Sequence, residues 1–200
     1  MTLDLSRLVV ATGNAGKLRE LKALLGNLAG ELIPQASLGV DPPEETEATF
    51  RGNALLKARY AARLTNLPAL ADDSGLEVDA LDGRPGVYSA RYAGPAADDE
   101  ANNQKLLGEL AGVPAPRRAR YRCVIALVRY AEDPEPLVAE GRWDGRIALA
   151  PRGSGGFGYD PLFLVGDGEL TAAELGDEAK NRVSHRATAL EMLRALIAAE

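Results

Sequence analysis

Short apolar runs and amphipathic segments alternate along the first seventy residues. Residues 8–11 (Leu-Val-Val-Ala) form a continuous apolar run that predicts a buried strand. After the turn at residues 12–17, leucines recur at helical spacing from Leu18 to Leu28, which predicts an amphipathic helix. Residues 31–45 are rich in proline and acidic residues and predict a loop, and a second helix is expected from about Thr49.

The middle of the chain carries the strongest strand signals. Residues 70–75 predict a brief strand running into a turn, and residues 77–81 predict a second strand. A helix is expected over residues 98–110. Over residues 119–127, apolar side chains alternate first with Arg120 and Arg122 and then continue as an apolar run, which predicts a strand, and residues 137–148 are expected to return as its hairpin partner.

The last part of the chain completes the predicted fold class. Residues 162–165 predict a strand, and a final helix is expected over residues 184–198. Because helices and strands intermix and one strand pair is antiparallel, the predicted class is α/β with a mixed sheet. A length of 200 residues fits one domain over residues 1–200, or two lobes that share a core. With 46% hydrophobic residues, the chain can bury a core without disulfides or metal ions.

Charge and cysteine content exclude several functional classes. The 23 Lys and Arg against 29 Asp and Glu give a net charge of −6, which argues against nonspecific nucleic-acid binding and anionic membrane surfaces. The single Cys123 allows no internal disulfide, and with a single histidine the chain lacks the ligands of a usual zinc site. Any metal is therefore expected on oxygen ligands, which favours magnesium or manganese. With no apolar run of about 18 residues and no signal peptide, the expected location is the cytoplasm.

A glycine turn at residues 12–17 (Thr-Gly-Asn-Ala-Gly-Lys) is the first candidate binding element. A strand that enters such a turn before a helix directs backbone N–H groups at a ligand, and the helix dipole and Lys17 favour an anion. The glycines are three apart, and Leu18 stands where a P-loop needs a magnesium-binding hydroxyl. The alternative is an ordinary tight turn capped by Asn14 or Thr12.

Carboxylates form the second candidate element. Glu44, Glu45 and Glu47 precede the second predicted helix, and Asp72 and Asp73 follow an apolar run. Because neighbours in a strand face opposite sides, one aspartate is expected to face a site while the other braces the turn. Together with an oxygen from the acidic loop, it could hold magnesium and orient a water. The alternatives are solvated glutamates and an aspartate pair that only forms a turn.

Two later segments add aromatic and cationic groups. Residues 153–161 place four glycines around Phe157 and Tyr159, which suits either close approach to a flat ligand or a wide hairpin loop. Residues 180–186 (Lys-Asn-Arg-Val-Ser-His-Arg) open the last helix, with Ser184 as its expected N-cap. His185 is interpreted as a ligand contact or as a packed structural histidine. Taken together, these segments predict a magnesium-dependent enzyme of nucleoside triphosphates.

Five motifs follow one another along the chain: Thr12-Gly13-Asn14-x-x-Lys17, Ala71-Asp72-Asp73-Ser74-Gly75-Leu76, Gly86-x-Tyr88-Ser89-Ala90-Arg91-Tyr92, Gly156-Phe157-Gly158-Tyr159-Asp160-Pro161 and Ser184-His185-Arg186. In this order they resemble the inosine/xanthosine triphosphate pyrophosphatases, the Ham1-like family. The similarity runs from about residue 8 to 197. It implies an elongated mixed sheet flanked by helices in two lobes, with the active-site cleft between them. It also implies a homodimer that hydrolyses dITP, ITP and XTP to the monophosphate plus diphosphate, using Mg²⁺, for which Mn²⁺ could substitute.

The resemblance also implies roles for individual residues. Glu44 and Asp73 are expected to bind the metal, and Asp73 is expected to activate the water. Two groups complete the site: the triphosphate contacts Thr12, Gly13, Asn14, Ala15, Gly16 and Lys17, and the further substrate contacts Ser74, Phe157, Gly158, Tyr159, Asp160, Lys180, His185 and Arg186. Within the second group, residues 157–160 are expected to stack on the base, and the last three to contact the nucleobase and the phosphates.

One departure from the family pattern concerns the metal site. Relatives commonly have glycine and glutamate where this chain has Glu47 and Gly52, so a carboxylate expected at position 52 is missing. Two alternatives to the pyrophosphatase remain open, of which the missing carboxylate favours only the second. One is a triphosphatase that releases orthophosphate, and the other is a nucleotide-binding module without turnover.

Overall fold

Six strands form one mixed sheet in the computed structural model, which describes residues 4–200. The strands are β1 (Arg7–Val10), β2 (Glu31–Pro34), β3 (Ala69–Val78), β4 (Arg118–Val128), β5 (Leu137–Ile147) and β6 (Phe163–Val165). Their order in the sheet is β2-β1-β3-β4-β5-β6. Strand β1 pairs in parallel with β2 and β3, whereas β5 and β6 are antiparallel. The predicted α/β class with a mixed sheet is therefore confirmed.

Five α-helices accompany the sheet within the described residues. They are α1 (Ala15–Leu25), α2 (Phe50–Thr65), α3 (Asp99–Glu109), α4 (Asp177–Val183) and α5 (His185–Ala198). The first three begin where a side-chain oxygen accepts a backbone N–H of the first turn; the capping residues are Asn14, Thr49 and Asp98. No helix in the described part of the chain is both long and apolar enough to cross a membrane.

Two sequence-based predictions of secondary structure were wrong, and one helix was missed. Residues 31–45 are not all loop, because Glu31–Pro34 forms β2, whose pairing with β1 is a tertiary contact that composition does not reveal. The two strands predicted over residues 70–81 are one strand of 10 residues, β3, in which buried ion pairs allow aspartates at interior positions. Helix α4 was missed because only Lys180 is buried among its 7 residues, so it has no apolar periodicity.

The chain divides into two compact units. The first unit comprises the chain up to Asp73, residues 123–141 and residues from Arg186 onward. Its core is aliphatic and includes Leu8, Val10, Leu21, Leu25, Leu70, Cys123, Ile125, Leu127, Leu190 and Leu193. Burial raises the pKa of the Cys123 thiol to about 12, so this side chain is an inert core residue.

The second unit comprises residues 74–122 and 142–185. Its core is rich in aromatic side chains and includes Leu76, Leu106, Tyr121, Trp143, Tyr159 and Phe163. The ring of Tyr121 lies 4.7 Å from that of Phe163 and 6.3 Å from that of Trp143. These ring contacts determine which face of β4 and which face of β5 point into this core.

A buried aspartate orders the connection between β4 and β5. The Asp133 carboxylate accepts hydrogen bonds from the backbone N–H groups of Arg129 (2.9 Å) and Glu135 (3.0 Å) and from the Arg129 guanidinium (2.9 and 3.0 Å). Burial alone would raise the pKa of Asp133, but these hydrogen bonds outweigh it and hold the pKa below its usual value.

Candidate active site

The glycine turn leads into α1 through two local hydrogen bonds. Asn14 Oδ1 accepts the Lys17 N–H at 2.9 Å, and Thr12 Oγ1 accepts the Asn14 N–H at 3.2 Å. Pro42 packs on the turn so closely that a Cβ at Gly13 would stand 3.1 Å from Pro42 Cγ. The turn is thus a capped helix start, as the tight-turn alternative expected, and its exposed residues 13–15 leave backbone accessible to a ligand. Phosphate binding at this turn stays a prediction.

A buried chain of charges links the end of Lys17 to the last helix. Lys17 Nζ lies 3.4 Å from Asp72 Oδ2, and Arg186 Nη2 lies 3.0 Å from the same oxygen. Arg186 Nη1 also pairs with the Glu20 carboxylate. Burial by itself would raise the pKa of Asp72, but the charges of Lys17 and Arg186 lower it well below its usual range. Asp72 is therefore ionised at neutral pH and holds two cations.

Arg186 is almost fully enclosed, with 1% of its surface exposed. Its Nε, Nη1 and Nη2 groups all contact the carboxylates of Asp72 and Glu20. The structure therefore presents Arg186 as a brace for Asp72 and not as an accessible group. The predicted contact of Arg186 with a nucleobase or phosphate stays a prediction that requires these ion pairs to rearrange.

Asp73 belongs to a second group of charges. Lys57 Nζ lies 2.8 Å from Asp73 Oδ1 and 2.6 Å from Glu45 Oε1, and Asn53 Nδ2 donates to Asp73 Oδ2 at 3.3 Å. Burial alone would lower the pKa of Lys57, but the carboxylates, led by Asp73, outweigh it and keep the ammonium protonated. Burial raises the pKa of Asp73, and the Glu45 charge adds to that effect, against the opposing Lys57 and Lys17.

The two aspartates of β3 thus have different partners. Asp72 contacts Lys17 and Arg186, whereas Asp73 contacts Lys57 and Asn53. This difference agrees with the alternation of neighbouring side chains across a strand. A carboxylate whose pKa is raised accepts a proton better than an ordinary one, so Asp73 is the member of the pair suited to general-base chemistry.

Sequence reasoning missed three of the charged or polar groups at this site: Glu20, Asn53 and Lys57; Glu45 was among the candidate carboxylates of the acidic loop. A signal was present for two of them. Asn53 and Lys57 lie on the buried face of α2 together with Phe50 and Ala54. A polar residue repeated four positions later on the apolar face of an amphipathic helix indicates a buried polar contact. Glu20 carries no comparable signal, because its partner Arg186 is distant in the sequence.

The oxygen donors of this unit are of the type that magnesium prefers. Glu44 is exposed in the loop before α2, and Asp73 is buried on β3. Across residues 4–200, no group of three or more His, Cys, Asp or Glu is placed to hold a metal ion. Magnesium usually keeps several waters and binds through one or two carboxylates plus substrate phosphates, so it does not need such a group. Metal binding by Glu44 and Asp73 stays a prediction.

In the second unit, Asp160 organises the glycine-rich loop. Its carboxylate accepts the Phe157 N–H at 2.9 Å and the Tyr121 hydroxyl at 3.4 Å, and it forms an ion pair with Lys180. Gly156 has φ +73°, and a Cβ there would stand 2.1 Å from Asp160 Oδ2, so only glycine fits. With 1% exposure, Asp160 supports the loop from inside.

The other predicted substrate contacts of this part of the chain have different surroundings. Lys180 Nζ lies 4.7 Å from the centre of the Phe157 ring, and Tyr159 is buried with its hydroxyl donating to the Ser89 carbonyl at 2.8 Å. His185 is stacked on Tyr121, with 4.7 Å between ring centres and 10° between planes, as the packed-histidine alternative expected. Ser74 is half-buried on β3.

A cavity of about 500 Å³ lies in the second unit along the glycine-rich loop. Phe157 and Gly158 line it together with residues of α3, including Asp99 and Asn103, whereas Lys180 and His185 do not. Its size suits a small ligand. Of the residues predicted to contact the base, the structure therefore brings only these two to this cavity.

Comparisons with known proteins give one family. The Ham1 family model matches residues 8–196. The chain is 58% identical over 191 residues to a dITP/XTP pyrophosphatase of Xanthomonas oryzae pv. oryzae, covering 95% of this chain and 96% of that protein. It is 59% identical over 188 residues to the enzyme of the same name from Methylococcus capsulatus, covering 94% of each. A solved HAM1 protein from Coxiella burnetii superposes with a TM-score of 0.88 at 48% identity, over 96% of this chain and 98% of that one. The chain belongs to the Ham1 family.

Proposed function

We propose that the protein is a hydrolase that converts dITP, ITP, XTP and dXTP to the monophosphate plus diphosphate, and so removes them from the nucleotide pool. Similar proteins named dITP/XTP pyrophosphatase, at 58% and 59% identity, support this activity. The observation that carries it on this chain is Asp73, a buried carboxylate with a raised pKa held between Lys57 and Asn53. A hydrolytic water needs such a base.

The proposed chemistry assigns one proton transfer to Asp73. A water attacks the α-phosphorus and gives its proton to the Asp73 carboxylate, while the bond from the α-phosphorus to the bridging oxygen breaks and diphosphate leaves. Lys57 holds the carboxylate at 2.8 Å, which limits its orientations. Lys17 and the backbone N–H groups of the glycine turn are assigned to the triphosphate, whose negative charge they offset.

Magnesium is assigned to Glu44 and Asp73, with Mn²⁺ as a substitute. When bound, the ion neutralises charge on the leaving diphosphate and polarises the phosphorus. Asp73 is thus assigned both to the metal ion and to the attacking water. Lys57 contacts one oxygen of its carboxylate and Asn53 the other, and these two contacts limit the rotation of the carboxylate.

Base recognition is assigned to Phe157, Gly158, Lys180 and His185. Inosine and xanthosine carry a 6-keto acceptor, whereas adenine carries a 6-amino donor, so N–H donors at the base discriminate between them. A site that hydrogen-bonds one group rejects its opposite by up to about 10⁴-fold. In this assignment, Asp160 and Tyr159 act by holding the loop, since both are buried.

One experiment separates the proposal from its alternatives. The purified protein is incubated with magnesium and ITP, ATP or GTP, and monophosphate, diphosphate and orthophosphate are measured separately. The proposal expects IMP and diphosphate from ITP, with far slower turnover of ATP, whose base lacks the 6-keto acceptor, and of GTP, whose 2-amino group the base site must exclude by shape. Orthophosphate as the first product would identify a triphosphatase, and ITP binding without product would identify a binding module.

The remaining assignments follow the family. We propose a homodimer that acts in the cytoplasm as a single domain over residues 1–200. Size-exclusion chromatography with light scattering tests the dimer, for which a mass near 42 kDa is twice that of the 21.1 kDa chain. A mass near that of one chain at all concentrations would contradict it.

A further inference from the structure

Two side chains of α3 contact the backbone of Gly158 in the glycine-rich loop. Asp99 Oδ2 accepts the Gly158 N–H at 2.6 Å, and Asn103 Nδ2 donates to the Gly158 carbonyl at 2.9 Å. Asp99 is the first residue of α3 and Asn103 follows one turn later, so both side chains lie on one face of the helix. Both backbone polar groups of this loop residue are therefore held by a single helix.

Gly158 depends on these contacts more than a residue with a side chain would. Glycine samples more backbone conformations than any other residue, and neighbours can hold it only through its N–H and its carbonyl. Asp160 fixes the preceding residue in the same way, since its carboxylate accepts the Phe157 N–H at 2.9 Å. The peptide groups before and after the Cα of Phe157 are thus both fixed, which limits the directions that the Phe157 ring can take.

The same side chains line the cavity along the glycine-rich loop. Asp99, Asn103, Phe157 and Gly158 all border this space of about 500 Å³. Asn103 Oδ1 is buried there without a hydrogen-bond partner among residues 4–200. A net hydrogen bond contributes less to stability than an unpaired buried oxygen costs. Stability alone would therefore favour an apolar side chain of similar shape, such as leucine, at position 103.

Two N–H groups of the loop are already used within the protein. The Phe157 N–H donates to Asp160, and the Gly158 N–H donates to Asp99. A backbone N–H has one proton to donate, so neither group is left for the 6-keto oxygen of a base. The loop can therefore meet a base through the Phe157 ring but not through these two donors.

We propose that Asp99 and Asn103 are positioning residues for base recognition, which hold Gly158 and thereby set the Phe157 ring against the base of a 6-keto purine nucleotide. They act through the loop and not on the triphosphate. Their loss therefore weakens the binding of substrate and transition state alike, which raises KM and leaves kcat nearly unchanged. This inference rests on the proposed function for the identity of the base.

Hydrogen exchange of the Gly158 amide, followed by NMR without nucleotide, tests the contact with α3. We expect Asp99→Ala to speed the exchange of this amide at least about tenfold. Asp99→Asn is the matched variant, because its side-chain oxygen can still accept the N–H, and its exchange rate should stay within about twofold of the wild type. Equal exchange in Asp99→Ala and the wild type would show that this hydrogen bond does not hold the loop, and would overturn the inference.

Steady-state kinetics with ITP and magnesium test the positioning role. We expect Asp99→Ala and Asn103→Leu each to raise the KM for ITP about tenfold with kcat within about twofold of the wild type, and Asp99→Asn to keep KM within about twofold. Because leucine removes the unpaired Oδ1 of Asn103, the Asn103→Leu protein should melt at or above the wild-type temperature. Glu191→Ala, on the exposed face of α5, is the control for a lost helical carboxylate and should change neither constant.

The other outcomes overturn the inference in distinguishable ways. A fall in kcat at unchanged KM would place these residues in the chemical step. A lower melting temperature of Asn103→Leu, with kcat and KM altered together, would show a role in folding only. Unchanged constants in both variants of an active enzyme would overturn the positioning role and leave the proposed function intact. A wild type that does not hydrolyse ITP would overturn the proposed function and, with it, the role in base recognition, whatever the Gly158 exchange rates are.

Discussion

Replacing Lys57 with methionine removes the cation that separates two carboxylates. The Lys57 ammonium lies 2.8 Å from Asp73 Oδ1 and 2.6 Å from Glu45 Oε1, and 6% of the residue is exposed. Methionine keeps most of the packing of the stem. Removing one partner of a buried ion pair costs about 3–5 kcal/mol of the free energy of unfolding. Because the Glu45 side chain is 24% exposed and can take up water, we expect about 3 kcal/mol at pH 8.

The loss of stability in Lys57→Met should depend on pH, and the pKa of Asp73 determines whether it grows or shrinks as the pH rises. Its pKa is already raised in the folded protein, and losing Lys57 raises it further. The penalty for ionising such a carboxyl is absent below the pKa of the unfolded chain, about 3.9, and grows as the pH rises toward the folded pKa. Lys57→Met should therefore be less destabilised at pH 5 than at pH 8.

Urea denaturation at both pH values measures this effect. Lys22→Met is the matched control, because Lys22 is exposed on α1, and it should change the free energy of unfolding by less than about 0.5 kcal/mol. A Lys57→Met protein as stable as the wild type at pH 8, or equally destabilised at both pH values, would refute the reasoning.

Three further predictions concern other parts of the molecule. Asp73→Asn should slow ITP turnover at least about a hundredfold while calorimetric ITP binding changes little; one tenth of the wild-type rate would rule out Asp73 as the base. Gly156→Ala should destabilise the protein about 2 kcal/mol more than Gly158→Ala, because both have positive φ but only the first Cβ meets Asp160; equal urea midpoints would contradict this. The lowered pKa of Asp133 stabilises the fold above pH 4 or so, and this contribution is lost as the pH falls through the folded pKa. Asp133→Asn should therefore flatten the acid side of the stability curve between pH 2 and 6 or so, and an unchanged slope would contradict it.

Local sequence signals predicted much of the fold. Helices α1 and α2 and strand β4 follow apolar periodicity, and Asn14 and Thr49 are the kind of residue that caps a helix. Strand β2 could not be found in this way, because four residues ending in proline become a strand only by pairing with β1. Local patterns predict a helix or strand whose own apolar residues repeat at the helical or strand period. They miss a strand that forms only because it pairs with another strand.

The candidate site was predictable as a set of residues but not as a set of contacts. The resemblance singled out Asp73 and Arg186, yet their partners Lys57 and Glu20 came only from the structure. Arg186 lies next to His185 in the sequence, which suggested a shared role. The structure instead pairs Arg186 with Asp72, 114 residues away, while His185 stacks on Tyr121. Adjacent residues of a helix point in different directions, so sequence proximity did not indicate a common contact.

The paired charges around β3 have a consequence for nucleotide capture. Three cations face four carboxylates there: Lys17, Lys57 and Arg186 against Glu20, Glu45, Asp72 and Asp73. The group is thus close to electroneutral, with a slight negative excess, and exerts little long-range pull on a polyanion. The charged group therefore attracts a free triphosphate less favourably than a triphosphate whose negative charge is already reduced by a bound divalent ion. The association rate, followed by stopped flow, should therefore vary little with ionic strength and steeply with free magnesium.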